Sequence, residues 1–545
     1  MTGYDPTAYR EYFEREFSYL AGFRRNTHRY ADRVALRDPG RDITLTYAEL
    51  GERVDRLATG LARSGVRPGD VVVYQLFNSV EFALLYLATQ ACGAVGSPIN
   101  YRLAAGETAF VLDDSKPAAF VYDCAMSGQA AAALEHAEHH PMLVLAVGGD
   151  EVLPGAMRFE EVVADTAGTL PGTGSVYDET TRLYTSGTTG MPKGVPCNSM
   201  VELFSAHDVI MHFPLSPEDR TLNMTPWFHR GGLYAGGPNP AFYSGAQVVP
   251  LRAFDAARCL DLVAQAGLTF LIGAPTNLAM LAAEQSARPR DLSTLRGIVT
   301  MGAPLERAAC LRYQELLSAR IFNGYGTTEA FWNTFLRPSD LPAHAGSAGR
   351  ACTDDDVAVV KVYGEALAAP TDHVAKDGSE VGEVIVRSPK SGMAYANSPE
   401  QQAAKFHQGW LYIGDLATWD AGEYVTIVGR KDDMIISGGE NVHPVQVEEA
   451  LNEHPRIADA LVVSVPDETW GQRILAYVIR SDDALTAADC DSHCRAHPML
   501  ADYKRPRAYR FVDSLPLTAT GKKVHYRARE QAATEYAAGL FEEVR

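Results

Sequence analysis

The chain has 545 residues, of which 46% are hydrophobic and 21% charged, a composition typical of soluble globular proteins with more than one core. Its 49 basic and 68 acidic residues give a formal net charge of −19. This balance argues against a general nucleic-acid binder or a protein of anionic membrane surfaces, since both need a basic face. It still allows a local basic pocket for a nucleotide.

Targeting and redox signals are weak throughout the chain. The N-terminal stretch "MTGYDPTAYREYFEREF" is not expected to be a signal peptide, "FEEVR" carries no peroxisomal or prenylation address, and "EFALLYLATQACGAVG" is too short to cross a bilayer. Eight scattered cysteines favour reduced thiols and a cytoplasmic enzyme. The segment "CDSHCRAH" is interpreted as a helix with incidental thiols and imidazoles rather than a zinc site, which needs four converging ligands.

Strand and helix signals alternate along the larger part of the chain. The run "GDVVVYQL" predicts a strand, and the following "NSVEFALLYLATQACG" predicts a helix with Asn78 and Glu81 at capping-box spacing and an end near Gly93. Three further runs, "LTFLIGAPTN", "RGIVTMGAPL" and "ARIFNGYGTTE", stop abruptly at glycine-rich turns. Strand ends of this kind are where α/β sheets bind ligands.

The segment "YTSGTTGMPKG" (184–194) combines hydroxyls, glycines and a lysine, which suits phosphate because small residues expose backbone N–H groups. A Walker A loop requires Gly before its lysine and Ser or Thr after it. Here Pro192 precedes Lys193 and Gly194 follows it, so the segment predicts a phosphate loop of another kind.

A change of pattern follows at "GEYVTIVGRKDDMIISGGENVHP", where two short strand-like runs flank the charged residues 430–433. Pro444 then stands at the predicted start of a helix, before the strand-like runs "ADALVVSVP" and "RILAYVIR". The predicted fold class is α/β. A large N-terminal α/β domain of several subdomains is expected over residues 1–430, with a small mobile α+β domain over 431–545.

The order of five motifs resembles that of the acyl- and aryl-CoA synthetases, a superfamily of adenylate-forming enzymes that includes luciferases and nonribosomal-peptide adenylation domains. The motifs are "YTSGTTGMPKG" (184–194), "NGYGTTE" (323–329), "GWLYIGDLATW" (409–419), "GRKDDMIISGGENVHP" (429–444) and "LPLTATGKK" (515–523). The resemblance covers nearly the whole chain, and its motif style is closest to benzoate-type aryl-CoA ligases. It implies an ATP-dependent ligase that joins a carboxylic acid to coenzyme A through an acyl-adenylate.

The resemblance also implies how ATP is held. The residues expected around the β- and γ-phosphates are Thr185, Ser186, Gly187, Thr188, Thr189, Gly190 and Lys193. Those expected beside the adenylate are Gly302, Ala303, Asn323, Gly324, Tyr325, Gly326, Thr327 and Thr328. Glu329 would hold Mg²⁺, a hard cation suited to carboxylate oxygen, and Asp415 and Arg430 would bind the ribose. Thr188, Glu329 and Lys522 are the predicted catalytic residues.

By the same resemblance, the small domain serves both half-reactions. Lys522 matches the family's mobile lysine, which bridges the carboxylate and the α-phosphate, with Lys523 as its neighbouring alternative. Asp432 matches the hinge about which the small domain swings between the two steps. Gly438 and Gly439 would let pantetheine pass, and Trp470 would flank the CoA or serve only as a packing residue.

Bulky residues are expected to wall the acyl pocket, which favours an aromatic or compact acid over a long alkyl chain. These residues are Phe228, His229, Arg230, Met301, Phe331 and Trp332. Met301 stands where the family usually has glycine. For Arg230 two positions remain open, one facing solvent and one paired with a second polar group of the substrate.

Two alternatives to a CoA ligase remain open. In one, the adenylate passes to a carrier-protein pantetheine or another nucleophile; in the other, the chain is a non-catalytic nucleotide-binding protein. The residues Thr188, Glu329, Asp415 and Lys522 argue against the second, since a binding protein needs no mobile lysine. The expected partners are a small carboxylic acid and CoA, without nucleic acid or membrane, in a monomer or homodimer.

Overall fold

A computed structural model describes residues 5–163, 168, 170, 174–186, 192–364, 366–437, 440–467, 470–497, 500, 502–517 and 522–544, without the side chains of residues 186, 436, 440 and 441. By internal contacts the chain forms two compact units. Unit 1 comprises Met1–Ala343, Ala351–Asp356 and Val386–Leu411; unit 2 comprises His344–Arg350, Val357–Ile385 and Tyr412–Arg545. The boundary at residues 430 and 431 stays a prediction, because it concerns which part moves rather than which residues touch.

The helices alternate with the strands through most of the chain. The helices are α1 (Pro6–Arg15), α2 (Tyr19–Arg29), α3 (Tyr47–Arg63), α4 (Val80–Ala91), α5 (Ala105–Ser115), α6 (Ser127–His136), α7 (Phe159–Val162), α8 (Ser199–His212), α9 (Arg230–Tyr234), α10 (Pro238–Ser244), α11 (Ala256–Ala266), α12 (Pro275–Ala287), α13 (Arg307–Leu316), α14 (Pro399–Lys405), α15 (Pro444–Asn452), α16 (Ala487–Ala496) and α17 (His525–Ala537).

The strands are β1 (Val34–Asp38), β2 (Ile43–Thr46), β3 (Val71–Gln75), β4 (Val95–Pro98), β5 (Ala119–Asp123), β6 (Leu143–Val147), β7 (Met157–Arg158), β8 (Glu179–Ser186), β9 (Pro192–Asn198), β10 (Arg220–Asn223), β11 (Gln247–Val249), β12 (Phe270–Gly273), β13 (Gly297–Met301), β14 (Ile321–Thr327), β15 (Phe331–Leu336), β16 (Arg350–Ala351), β17 (Asp356–Val360), β18 (Gly382–Arg387), β19 (Phe406–His407), β20 (Trp410–Trp419), β21 (Val425–Arg430), β22 (Ile435–Ser437), β23 (Glu440–Val442), β24 (Ile457–Asp467), β25 (Gly471–Arg480), β26 (Ala508–Phe511) and β27 (Glu542–Glu543).

Unit 1 is built on two large sheets. One runs in the order β15-β14-β13-β12-β10-β11-β1-β2, with parallel pairs from β14 through β12 and β10 to β11. The other runs in the order β7-β6-β5-β3-β4-β8-β9. The predicted strands before "GAPTN" and "GAPL" are β12 and β13, whereas the third run does not stop at its glycines and continues as β14 through Thr327. The three strands are neighbours in one sheet. Their carboxyl ends therefore meet at one edge, and the predicted α/β class is confirmed.

Helix α4 is buried on every side, which fits its nearly uninterrupted apolar sequence. The predicted cap is wrong by one residue. Ser79 is the N-cap, and its hydroxyl accepts the N–H of Phe82. Asn78 instead bridges to a distant loop, because its side chain accepts the N–H of Trp227 at 2.7 Å and donates to the carbonyl of Thr225.

In unit 2, strands β17, β18, β20 and β21 form one sheet, and β24 to β27 form another against α15, α16 and α17. The two predicted runs around the charged tetrapeptide are β21 and β22, separated by one 3₁₀ turn at Lys431–Asp433. Pro444 opens α15 as predicted, since its missing N–H needs no partner at a helix start.

The "CDSHCRAH" segment forms α16 and places its thiols in the core. Cys490 and Cys494 are buried, and burial raises the pKa of Cys490 to about 12. His493 contacts the carbonyl of Ala450 at 2.7 Å, and His497 pairs with Glu453 at 2.9 Å. All eight cysteines are free thiols, which agrees with the prediction of reduced cysteines.

Candidate active site

The predicted adenylate motif lies on the β14–β15 hairpin of unit 1. The pairing register shifts between Tyr325 and Gly326, which forms a bulge just before the turn. A Cβ at Gly326 would lie 1.6 Å from the carbonyl oxygen of Phe331, so only glycine fits there. Phe331 itself has φ of 60°, a left-handed conformation that non-glycine residues rarely adopt. The sequence thus encodes a tight, strained turn at residues 328–330.

Glu329 in that turn accepts a hydrogen bond from the phenol of Tyr395 at 2.6 Å. Burial and the nearby carboxylate raise the pKa of Tyr395, so the phenol remains a donor at neutral pH. The Nζ of Lys193 lies 5.9 Å from the centroid of the Tyr395 ring. Burial and Lys405 lower the pKa of Lys193, and the charge of Glu329 opposes this shift. Two motifs that are distant in sequence therefore meet around Tyr395.

Strands β8 and β9 position the described part of the phosphate loop. Thr185 pairs with Lys193 across this antiparallel ladder, and Gly194 accepts the N–H of Ala396 at 2.8 Å. Strand β9, which carries Lys193, is thus joined to the segment that carries Tyr395. The remaining predicted loop residues lie outside the described residues, as does the side chain of Ser186; they are Gly187, Thr188, Thr189 and Gly190.

The other predicted adenylate residues lie at the ends of β13 and β14. Met301 pairs with Gly324 in the parallel ladder, so Gly302 and Ala303 follow directly beside β14. Gly302 has φ of 87° and is exposed. Asn323 is 4% exposed, whereas residues 325–328 are partly exposed. This edge is open enough for a ligand to reach the backbone.

Four of the six residues expected to wall an acyl pocket belong to one buried hydrophobic cluster: Phe228, Met301, Phe331 and Trp332. Phe228 lies edge-to-face with Tyr101 at 5.4 Å and tilted against His229 at 4.2 Å between ring centroids. Phe331 stacks on Trp332 at 4.8 Å.

Two of these six residues, Trp332 and Met301, also pack against other residues of the core. Trp332 continues into the core against Phe335, at 4.7 Å between centroids. Met301 is buried, and a Cβ at Gly231 would lie 2.9 Å from its sulfur. Contact with an acid stays a prediction for all six.

Arg230 does not face solvent, so that interpretation is wrong. The residue is 3% exposed, and its guanidinium donates to the carbonyls of Thr328 and Lys390, each at 2.5 Å. Its charge also lies 5.3 Å from the ring of Tyr234 and 5.8 Å from that of Phe331. The reason is that α9 directs this side chain inward, where carbonyl oxygens and ring faces solvate the cation.

In unit 2, the predicted ribose-binding residues are joined directly. Arg430 donates to the carboxylate of Asp415 at 2.6 Å, and the two residues pair across β20 and β21. Asp432, the predicted hinge, is exposed in the turn between β21 and β22. Trp470 is 49% exposed, more than a packing tryptophan would be. Gly438 and Gly439 lie outside the described residues.

The two neighbouring lysines of the C-terminal motif have different surroundings. Lys522 is exposed. Lys523 points into unit 2 and pairs with Asp459 at 2.8 Å and Glu448 at 3.3 Å. Burial opposes ionisation of Glu448, but Lys523 and His525 outweigh it and lower the pKa of this carboxyl to about 2. Lys523 is therefore committed to the fold, which favours Lys522 as the residue that reaches a ligand.

Sequence reasoning missed Tyr395 and the buried charges near it. The segment "KSGMAYAN" precedes a short helix and matches no motif by which phosphate or metal sites are usually recognised. Lys390 lies between Pro389 and Ser391, close to Arg387, so its sequence surroundings gave no signal that its charge is buried. These groups come together only through tertiary packing, which a local stretch of sequence does not reveal.

Comparison with known proteins identifies the family of this chain. The model of the AMP-binding enzyme family matches residues 23–396, and that of the AMP-binding enzyme C-terminal domain matches residues 446–522. The chain is 34% identical over 495 residues to an indoleacetate–CoA ligase of Aromatoleum aromaticum, covering 90% of this chain and 93% of the relative. It is also 34% identical over 479 residues to a feruloyl-CoA synthase of an Amycolatopsis species, covering 88% and 92%.

Solved structures give the same result. The crystal structure of an anthranilate CoA ligase in complex with anthranoyl-AMP has a TM-score of 0.86 and 26% identity, covering 95% of this chain and 98% of that one. The fold and site thus define an adenylate-forming enzyme. The chain belongs to the AMP-binding enzyme family, and the predicted family and ligase class are confirmed. Within the described parts of the chain, no helix has both the length and the apolar character needed to span a membrane.

Proposed function

We propose that the protein is an ATP-dependent ligase that activates an aromatic or compact carboxylic acid as its adenylate and transfers the acyl group to coenzyme A. The observation that carries this proposal is the cluster of Lys193, Tyr395 and Glu329. It joins a cation from the phosphate loop to a carboxylate from the adenylate motif. Such a pair suits a reaction between two anions, since the protein must offset their repulsion and the charge that develops in transit.

In this proposal the first step is attack of the carboxylate oxygen on the α-phosphorus of ATP, with pyrophosphate leaving. Thr185 and Lys193, which pair across β8 and β9, would hold the β- and γ-phosphates, and Thr328 would contact the α-phosphate. The carboxylate of Glu329 is a suitable ligand for Mg²⁺, which neutralises phosphate charge when bound. Lys522 would donate to the oxygens that gain charge.

In the second step the thiol sulfur of CoA attacks the acyl carbon and AMP leaves. Exposed Trp470 supports a role beside CoA, and the exposed hinge at Asp432 supports domain alternation between the steps. The relatives named as ligases of indoleacetate and ferulate favour a free CoA acceptor and an aromatic acid. Transfer to a carrier-protein pantetheine is the second candidate, because a carrier arm has the same thiol.

The acid preference is testable with a panel of acids. Buried Phe228 and Phe331 favour a short, flat pocket, so a benzoate-sized or cyclohexane-sized acid should exceed palmitate by at least about tenfold in kcat/KM, which is about 1.4 kcal/mol of transition-state binding. Pyrophosphate release is measured for each acid with CoA, with phosphopantetheinylated carrier protein, and with neither. A preference for palmitate would contradict the pocket assignment. Faster acyl transfer to the carrier protein than to CoA would show that the carrier is the acceptor.

A further inference from the structure

We infer that Arg230 is a positioning residue that holds the Thr328–Glu329 turn in the geometry needed for adenylation. The inference rests on the proposed function, because that function gives Thr328 and Glu329 their roles. Arg230 would act through the backbone rather than by touching ATP or the acid. It therefore differs from the substrate-pairing role that its sequence position suggests.

The guanidinium makes two short bonds in divergent directions. One Nη donates to the carbonyl oxygen of Thr328 and the other to that of Lys390, each at 2.5 Å. Because the peptide unit is planar, fixing the Thr328 oxygen also fixes the plane that contains the N–H of Glu329. One side chain thus sets the orientation of the peptide that links the predicted α-phosphate residue to the predicted metal ligand.

The second anchor is itself rigid. The ammonium of Lys390 is buried between the carboxylates of Asp355, at 2.8 Å, and Asp208, at 3.1 Å. His212 approaches the same Asp208 at 3.1 Å. Buried ion pairs of this kind resist rearrangement, because breaking one leaves an uncompensated charge. Arg230 therefore ties the turn to a fixed point.

The turn needs an external tether because its own conformation is strained. Phe331 has φ of 60°, and Gly326 lies against the Phe331 carbonyl without room for a side chain. Strained backbone persists where surrounding structure holds it. Arg230 provides that hold from one side, with its charge over the Phe331 ring, and Tyr395 holds the Glu329 carboxylate from the other.

The hydrogen-bond partners of Arg230 also distinguish a positioning role from a purely stabilising one. The guanidinium donates to the two backbone carbonyls and, at 3.5 Å, to the hydroxyl of Ser205, and it forms no salt bridge with a carboxylate among the described residues. Lysine at this position would keep the charge but, with one compact ammonium, would not reach two carbonyls in different directions.

The test uses the full-length protein with Arg230→Lys, Arg230→Gln and the control Arg290→Lys. Arg290, between α12 and β13, is also mostly buried, with 10% of its side chain exposed, and its guanidinium donates to the carbonyl of Arg288 and pairs with Asp261 and Glu284. AMP affinity is measured by calorimetry without metal, and adenylation by pyrophosphate exchange with the best acid. We expect Arg230→Lys to weaken AMP about tenfold and to lower exchange kcat about 10²-fold, as small misplacements do. The KM for the acid should stay within about twofold, and Arg290→Lys should match wild type in AMP affinity and exchange kcat.

Two results would overturn the inference. One is unchanged AMP affinity and exchange kcat in folded Arg230→Lys or, should that variant not fold, in Arg230→Gln. The other is a raised KM for the acid alone, which would make Arg230 a substrate residue. Failure of the proposed function is distinguishable, because it would appear as absent exchange in the wild type, whereas AMP binding needs no acid.

Discussion

Replacing Lys522 with alanine is expected to slow adenylation by about 10²–10³-fold, or about 3–4 kcal/mol, which is comparable to the loss of one well-placed electrostatic donor. Lys522 is exposed, while its neighbour is held by two carboxylates. Lys522 is predicted to stabilise the negative charge that develops as pyrophosphate leaves. Thioester formation from supplied acyl-adenylate should be nearly unchanged, because in the proposed alternation the lysine would by then have moved away with the small domain.

Single-turnover rates of the two half-reactions measure this effect separately. Lys523→Met is the matched variant, since it removes the adjacent ammonium. It should lower the unfolding midpoint by leaving Glu448 buried without one partner, while adenylation by the folded protein falls less than about tenfold. Equal slowing of both half-reactions by Lys522→Ala would contradict domain alternation. A 10²-fold loss of adenylation confined to Lys523→Met would transfer the role to Lys523.

Replacing Lys390 with methionine is expected to destabilise unit 1 by about 3–5 kcal/mol at pH 7, the usual range for removal of one partner of a buried ion pair. The Lys390 ammonium and the carboxylates of Asp208 and Asp355 are each at most 2% exposed. Without the ammonium, two buried carboxylates lose their shared counter-charge. Denaturant unfolding followed by tryptophan fluorescence reports on this region, because Trp227 and Trp332 are buried in unit 1.

The pH dependence of Lys390→Met gives a further check. In the wild type, burial raises the pKa of Asp208, but Lys390 and His212 outweigh it and the pKa is lowered. Asp208 therefore contributes stability above its unfolded pKa, and this is lost as pH falls through the folded value. In Lys390→Met burial would raise the carboxyl pKa values, so the folded state would bind protons more readily than the unfolded state. The difference in free energy of unfolding between wild type and Lys390→Met should therefore shrink between about pH 7 and pH 5.

Lys361→Met is the control for loss of a lysine ion pair. Lys361 pairs with Asp372 at 3.3 Å, with 45% and 33% of the two side chains exposed. Exposed pairs contribute about 0–1 kcal/mol, so this variant should unfold close to wild type. A deficit for Lys390→Met below about 1 kcal/mol, or one that grows as pH falls, would contradict the buried-pair assignment.

Much of the fold could be predicted locally. The strands before "GAPTN" and "GAPL", the helix start at Pro444 and the two runs around residues 430–433 follow from period, turn residues and proline geometry. The end of β14 was predicted too early, since the strand continues through Gly324 and Gly326. The cap of α4 was misplaced because Asn78 and Ser79 are both good caps. The choice between them depends on a long-range hydrogen bond, in which the side chain of Asn78 accepts the N–H of Trp227. A local sequence pattern does not contain this contact.

The candidate site likewise has features that the sequence predicts and features that it does not. Motif order predicts which residues surround ATP, because phosphate chemistry constrains short segments, and these assignments stay predictions. It did not reveal that Arg230 is buried, since an arginine beside two glycines in sequence is normally exposed. Its partners, at Thr328 and Lys390, are backbone carbonyls, and backbone atoms leave no mark on residue identity. Tyr395 was missed because its contact with Glu329 depends on the tertiary fold.

Acid-dependent exchange of labelled pyrophosphate into ATP, measured in the complete absence of CoA, tests the two-step reaction most directly. The groups proposed for ATP and the carboxylate include Lys193, Glu329, Asp415 and Lys522, and none of them requires CoA. Exchange should appear with an aromatic acid and Mg²⁺, and it should vanish when the acid is omitted. Exchange that strictly requires CoA would contradict an acyl-adenylate formed before the thiol reacts.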